Sequence, residues 1–313
     1  MARIGLIDVD GTGKFPNLAL MKISAYHKSI GDDVEWYCAF SGWYDKVYLS
    51  KVFSFTPDYD YHINAHEVIR GGSGYAISLV DGKEFFDKSK DVDLPAEIEH
   101  IYPDYSLYPE LTKDTAFGFL TRGCPRGCDF CIVGRKEGRC SVKVADLSEF
   151  WNGQKNIVLC DPNILACKEW KGLLQQLIDS KAKVDFNQGL DIRLMTPEKI
   201  EMLNRIRIKE IHFAWDKYKD KDAILPKLRM FMEHQRILLK KRGHSAVVYV
   251  LVNYDTTIEQ DLERIYTLRE MGYWAYVMIY DKEHCNPIYK KLQRWVNNRF
   301  VFGAVKRFED YKG

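Results

Sequence analysis

The sequence predicts an α/β protein in two parts, a small doubly wound α/β domain followed by a parallel barrel or partial barrel of six strand-helix units. Three observations lead there. Strand-like and helix-like patterns alternate near the N-terminus, a Pro-punctuated stretch without periodicity follows, and then six apolar runs appear in regular alternation with helical patterns. The expected boundaries are 1–87 for the first domain, 88–112 for a linker and 113–313 for the barrel with a C-terminal helix.

RIGLIDVD opens the chain as a buried strand, because its apolar run meets Asp8 and Asp10 too soon for an export signal. A helix is expected from about Asn17 to Ser29, with Leu18, Met21 and Ala25 near helical spacing, then strands at DVEWYCAF and KVYLSKVFSF. EVIR is a further strand, running into a turn at Gly71-Gly72-Ser73-Gly74. Pro95, Pro103 and Pro109 punctuate the linker. Beyond it lie strand candidates at AFGFLTR, NIVLCDP, KVDFNQG, EIHFAWD, AVVYVLVNY and WAYVMIYD, alternating with helix candidates such as EWKGLLQQLIDS, PEKIEMLNRIR and TIEQDLERIYTLREMG. In a parallel barrel, chemistry is expected in the loops that follow the strand C-termini. No short-period repeat suggests a solenoid.

With 313 residues, 46% hydrophobic and 29% charged, the chain can bury one large core or two smaller ones. No run is long enough to span a bilayer. Eight cysteines without an export signal point to a reducing cytosol, so a cytoplasmic protein is expected. The net charge of +2 hides an asymmetry: residues 1–112 carry 10 Lys and Arg against 18 Asp and Glu, the remainder 36 against 26. A basic C-terminal part suits an anionic partner such as a nucleic acid or a phosphorylated metabolite. The many charges from Lys217 to Arg242 read more simply as the solvated face of one long helix. The 19 Tyr and 7 Trp, several of them in SGWYDKVY and YDYHINAH, allow a base-stacking platform but are explained more simply by packing.

Chemistry concentrates in TRGCPRGCDFC, where Cys124, Cys128 and Cys131 form C-x3-C-x2-C in the loop after the first expected barrel strand. Three thiolates on one short loop can each take one iron of a cubane, and Gly123 and Gly127 let the backbone wrap closely. One iron is left without a cysteine, an open site of the kind that separates catalytic from structural metal centres. With an aromatic residue before the last cysteine and a (β/α)6 partial TIM barrel around it, the segment from roughly 113 to 285 resembles the radical S-adenosylmethionine (SAM) superfamily. The resemblance implies a 4Fe-4S cluster on the three cysteines, SAM chelated through its amino and carboxylate groups at the open iron, and reductive cleavage to methionine and a 5′-deoxyadenosyl radical that abstracts hydrogen from a substrate. An electron donor such as flavodoxin or ferredoxin is implied as well.

The same resemblance gives Phe130 the aromatic position near adenine; a core Phe is the plainer reading. Asp161 and Asn163, in LCDPN, stand where members bind the methionine amino group, and equally where Asp and Asn cap helices. In FNQGLDIRLMTPE, Gln188, Asp191 and Arg193 resemble a segment of family members with cobalamin-domain-like N-termini; Arg193 suits the SAM carboxylate or a salt bridge to Asp191. YVLVNYDTTIEQDLERI resembles the adenine-packing strand of the methylthiotransferase-like branch, with Asn253 where a glycine is more usual. The N-terminal domain resembles a cobalamin-binding fold but lacks the D-x-H-x-x-G motif. Cobalamin is therefore not expected there, and a scaffolding or substrate-gating role is. Methylthiotransferases carry three N-terminal cysteines, whereas only Cys38 is present in that region.

Other signals are discounted. Gly11-Thr12-Gly13-Lys14 fails the phosphate-loop pattern, since Asp8 stands at its first glycine and Phe15 replaces the hydroxyl residue. Gly71 to Gly74 fails dinucleotide spacing at Ile77. Cys140, Cys160, Cys167 and Cys285 are too irregularly spaced for a second cluster, and the eight histidines show no metal-ligand pairing. The rival from another class is a zinc-binding interaction or nucleic-acid module with Cys140 as fourth ligand, C-x3-C-x2-C-x8-C. A non-catalytic electron carrier is a third reading. Within the enzyme reading, modification of tRNA or another nucleic acid is the alternative to a small-molecule or peptide substrate.

Overall fold

Residues Arg3–Asp8 form β1, with four consecutive buried positions, the continuous apolar run of a strand covered on both faces. This computed structural model describes residues 1–11, 13, 15–80, 83–237 and 246–313. Thr12 and Lys14 of the phosphate-loop-like stretch, the expected helix beyond residue 237, and His244 lie outside the described residues. The fold is mixed α/β with parallel sheets, in two compact units, residues 1–158 and 159–313.

In the first unit, α1 (Leu18–Ser29) follows β1, then β2 (Asp33–Trp36), β3 (Tyr44–Ser50) and β4 (Ala65–Gly71). These strands make a parallel sheet of order β2-β1-β3-β4. Asn17 caps α1, its side chain accepting from Leu20 N at 3.2 Å while its Nδ2 donates to Ser50 Oγ at 2.9 Å. Alternation along β1 sends Ile4 and Leu6 to one face, against Leu20 and Ile23 of α1, and Ile7 to the other, against Tyr44, Val47 and Leu49.

After β4 come α2 (Ser73–Ala76), an antiparallel hairpin of β5 (Ile77–Val80) and β6 (Lys83–Phe86), α3 (Ala96–Glu99) and α4 (Pro109–Thr112). The expected glycine turn is thus the start of a short helix. The 88–112 stretch is docked on α1: Ile98 joins the core, Lys22 pairs with Glu99 at 2.8 Å, and Asp104 accepts from Ser24 and Lys28, each at 2.6 Å.

The expected strand AFGFLTR is in fact two, β7 (Thr115–Gly118) and β8 (Thr121–Arg122). The Phe150 ring packs on Gly118, where any Cβ would collide with it. The unit continues with α5 (Val133–Lys136), β9 (Val142–Lys143), antiparallel to β8, and β10 (Asn156–Leu159), which lies beside β7.

In the second unit, Leu159 at the end of β10 accepts from Asn187 N at 3.1 Å, just past β11. The order there is α6 (Trp170–Ser180), β11 (Lys183–Phe186), α7 (Pro197–Arg205), β12 (Arg207–Ile208), β13 (His212–Ala214), α8 (Lys221–His234), β14 (Val247–Val252), α9 (Ile258–Glu270), β15 (Trp274–Ile279), α10 (Pro287–Asn297) and α11 (Arg299–Ala304). β11 and β12 pair in parallel, and β13, β14 and β15 form a separate parallel sheet. A Thr257/Gln260 capping box starts α9, and Thr196 with Pro197 starts α7.

The long helix expected from Lys217 leaves helical geometry at Gln235. Asn204 of α7 draws the chain away: its Nδ2 donates to His234 O at 3.1 Å and its Oδ1 accepts from Arg236 N at 2.7 Å. Packing accounts for only part of the Tyr and Trp richness, since Tyr44 is fully buried but Trp43 is 60% and Tyr61 78% exposed. No helix among the described residues is long and apolar enough to cross a membrane.

Candidate functional site

The cysteine loop is bracketed by β8 and β9, whose pairing sets Thr121 opposite Lys143 and Arg122 opposite Val142. Cys124 N donates to Gly138 O at 3.1 Å, and Cys131 N to Cys128 O at 3.0 Å. Gly123 has φ +82°, and a Cβ there would overlap the Cys140 carbonyl oxygen, so only glycine lets the loop close on that side. Gly123 N also donates to Glu137 Oε2 at 3.2 Å, and Glu137 pairs with Arg122 at 3.3 Å.

Cys124, Cys128 and Cys131 form no disulfide and are each half-buried, and Phe130 among them is half-buried too. Cys128 and Cys131 border a hollow of about 40 Å³ together with Asp129, Arg135, Arg139 and the backbones of Gly127 and Gly134. Arg135 donates to Glu84 O and Asp129 O, each at 3.2 Å. Burial holds the Lys136 ammonium of α5 below the usual lysine range, with Glu137 opposing.

Three cysteines outside any disulfide, on one glycine-wrapped loop, match the donor set of an iron-sulfur cube that keeps one iron open. Among the described residues, no group of three or more His, Cys, Asp and Glu side chains is already gathered around a metal position. The loop therefore fits such a cluster by its donors and its backbone cradle, and the metal itself has to draw the sulfurs together. The remaining cysteines differ: Cys38 and Cys140 are exposed, while Cys160, Cys167 and Cys285 are buried. Burial pushes the Cys167 thiol up, and its Sγ lies 3.1 Å from Glu169 Oε2.

In the second unit, Asp161 and Asn163 are buried just past β10, and Asn163 Nδ2 donates to Asp191 Oδ2 at 3.4 Å. Asn163 precedes the short 3-10 turn Ile164–Ala166 without a side-chain cap bond, so the cap reading does not hold for it. Arg193 pairs with Asp191 at 2.8 Å and Asp220 at 3.0 Å, the salt-bridge alternative read from the sequence. Gln188 is exposed. Asn253 has φ +62°, the left-handed conformation that explains a glycine-like position, and its Nδ2 donates to Tyr280 O at 2.9 Å.

Two residues that the sequence did not single out are Asp216, in the loop past β13, and Arg264, in α9. Arg264, 0% exposed, donates to Trp215 O at 2.6 Å, Asp216 O at 2.9 Å and Leu251 O at 2.7 Å, and pairs with the equally buried Asp261. Asp216 lies two residues past the end of β13; burial above all pushes its carboxyl up to about 6, Arg264 and Arg193 opposing and Asp220 and Asp191 adding to the rise. The signal was present in EIHFAWD, a carboxylate ending an apolar strand. Arg135 and Arg139, just beyond the cysteines, were not singled out either. No family model matches the chain, and no curated protein matches it.

Proposed function

We propose that the chain is a radical SAM enzyme whose Cys124, Cys128 and Cys131 hold a 4Fe-4S cluster. The observation that carries this reading is the cysteine loop itself: three half-buried cysteines outside any disulfide, on a loop whose closure requires glycine at position 123. In this reading the expected strands form a partial barrel, the N-terminal domain is a scaffold of cobalamin-domain type without cobalamin, and Phe130, Asp161, Asn163, Gln188, Arg193 and Asn253 contact SAM. When bound, the cluster supplies the electron that splits the sulfonium bond. The chain's own residues hold the loop: Glu137 anchors Gly123 N, and Arg135 fixes the Asp129 carbonyl beside the hollow. Flavodoxin or ferredoxin is the expected class of electron donor, and the substrate class extends to small molecules, peptides and nucleic acids.

Anaerobic reconstitution with iron and sulfide tests the reading. A brown protein with about four irons per chain that releases 5′-deoxyadenosine from SAM under reduction is expected. Cys124→Ser, Cys128→Ser and Cys131→Ser are each expected to abolish that release. A colourless protein holding one zinc would instead favour a zinc module using Cys140.

A further inference from the structure

The Arg139 side chain lies along the outside of the cysteine loop. Its Cζ is 3.4 Å from where a Cβ on Gly127 would stand, and its Cγ 3.8 Å from the corresponding point on Gly134. A Cβ on Gly134 would likewise stand 3.6 Å from the Gly127 Cα and 3.9 Å from the Cys124 carbonyl oxygen. The arginine stem and guanidinium thus run alongside both glycines, in the lining of the hollow bordered by Cys128 and Cys131.

Of the arginines around this loop, Arg122 is paired with Glu137 and lies 3.9 Å over the Phe119 ring, while Arg135 donates to two carbonyls and keeps its charge. Arg139 makes no hydrogen bond or ion pair among the described residues, although it is exposed and held against the loop backbone. Its charge thus shares the hollow with Arg135 and Asp129 without a direct ion pair.

We infer that Arg139 sets the reduction potential of the cluster held by Cys124, Cys128 and Cys131, making it easier to reduce by placing a positive charge in the lining of the hollow that it shares with Cys128 and Cys131. This inference rests on the proposed cluster and goes beyond it by assigning a residue that tunes it. Reduction adds one electron from an external reductant to the cluster, with no bond made or broken and no proton moved, so the cluster gains one negative charge. A fixed cation nearby stabilises the more negative state, and cluster potentials respond to local charge in this sense. Arg139 is a positioning residue for charge rather than a group that reacts.

The test is potentiometric titration of the reconstituted full-length protein, followed by electron paramagnetic resonance of the reduced cluster, for wild type, Arg139→Gln and Arg139→Lys. Arg139→Gln is expected to lower the reduced-to-oxidised ratio at fixed potential about tenfold, a midpoint more negative by about 59 mV for a one-electron couple. Arg139→Lys, which keeps the charge, is expected to stay near wild type. A glutamine variant with four irons and the wild-type midpoint overturns the inference and leaves the proposed function standing. A wild-type protein that assembles no cluster overturns both. If Arg139→Gln takes up no iron, Arg139→Met is read in its place; if neither loads, the residue serves assembly and the tuning role is overturned.

Discussion

Asp216 keeps its proton to higher pH than an ordinary aspartate, to about 6, because burial disfavours its charge more than Arg264 and Arg193 favour it. Between the ordinary aspartate value of about 4 and about 6, the folded chain holds a proton that the unfolded chain has released. Stability contributed by this group is therefore full below that window and declines as pH rises through it. Denaturant midpoints of wild type and Asp216→Asn should diverge across the interval, the asparagine variant being the more stable at pH 8 and flatter in its pH response; parallel profiles would refute the assignment. At the same scale the cysteine loop stood out in the sequence because its spacing is local. Arg139 did not, because its contact with Gly127 and Gly134 depends on chain segments folded back against it. Asp216 and Arg264 come together only where the loop past β13 meets α9, which no spacing rule joins.

The elements were legible wherever the period of burial decided them. All the expected strands of the N-terminal part formed, as did α1, α6, α7 and α9. What local pattern missed was imposed from elsewhere in the chain. AFGFLTR breaks where Phe150 packs on Gly118, and the helix after Lys221 stops where the Asn204 side chain takes the last carbonyl. Neither event leaves a mark within the segment it shapes. The start of α1 is the opposite case, a cap readable from sequence and strengthened by a distant partner. Asn17→Ala removes both the bond from Leu20 N and the bond to Ser50 Oγ, and a loss of about 1–2 kcal/mol is expected from urea denaturation. A loss below a few tenths would mean that the cap contributes nothing beyond solvation.

For the whole chain, metal uptake and loop order should be linked, since the thiols fit a cluster but are not already gathered around a metal position. Exposed Arg126, Arg135 and Arg139 put trypsin sites in that loop, so iron-loaded protein should be cut there about tenfold more slowly or better than metal-free protein. Equal cleavage rates would separate loading from loop closure. A different kind of linkage resides in Arg264, whose one planar head takes carbonyl oxygens from the turn after β13 and from the end of β14. Those two backbone segments share a single rivet, so whatever tugs on one is felt by the other. A molecule that settled against Asp216 would thereby stiffen the stretch around Asn253 without touching it.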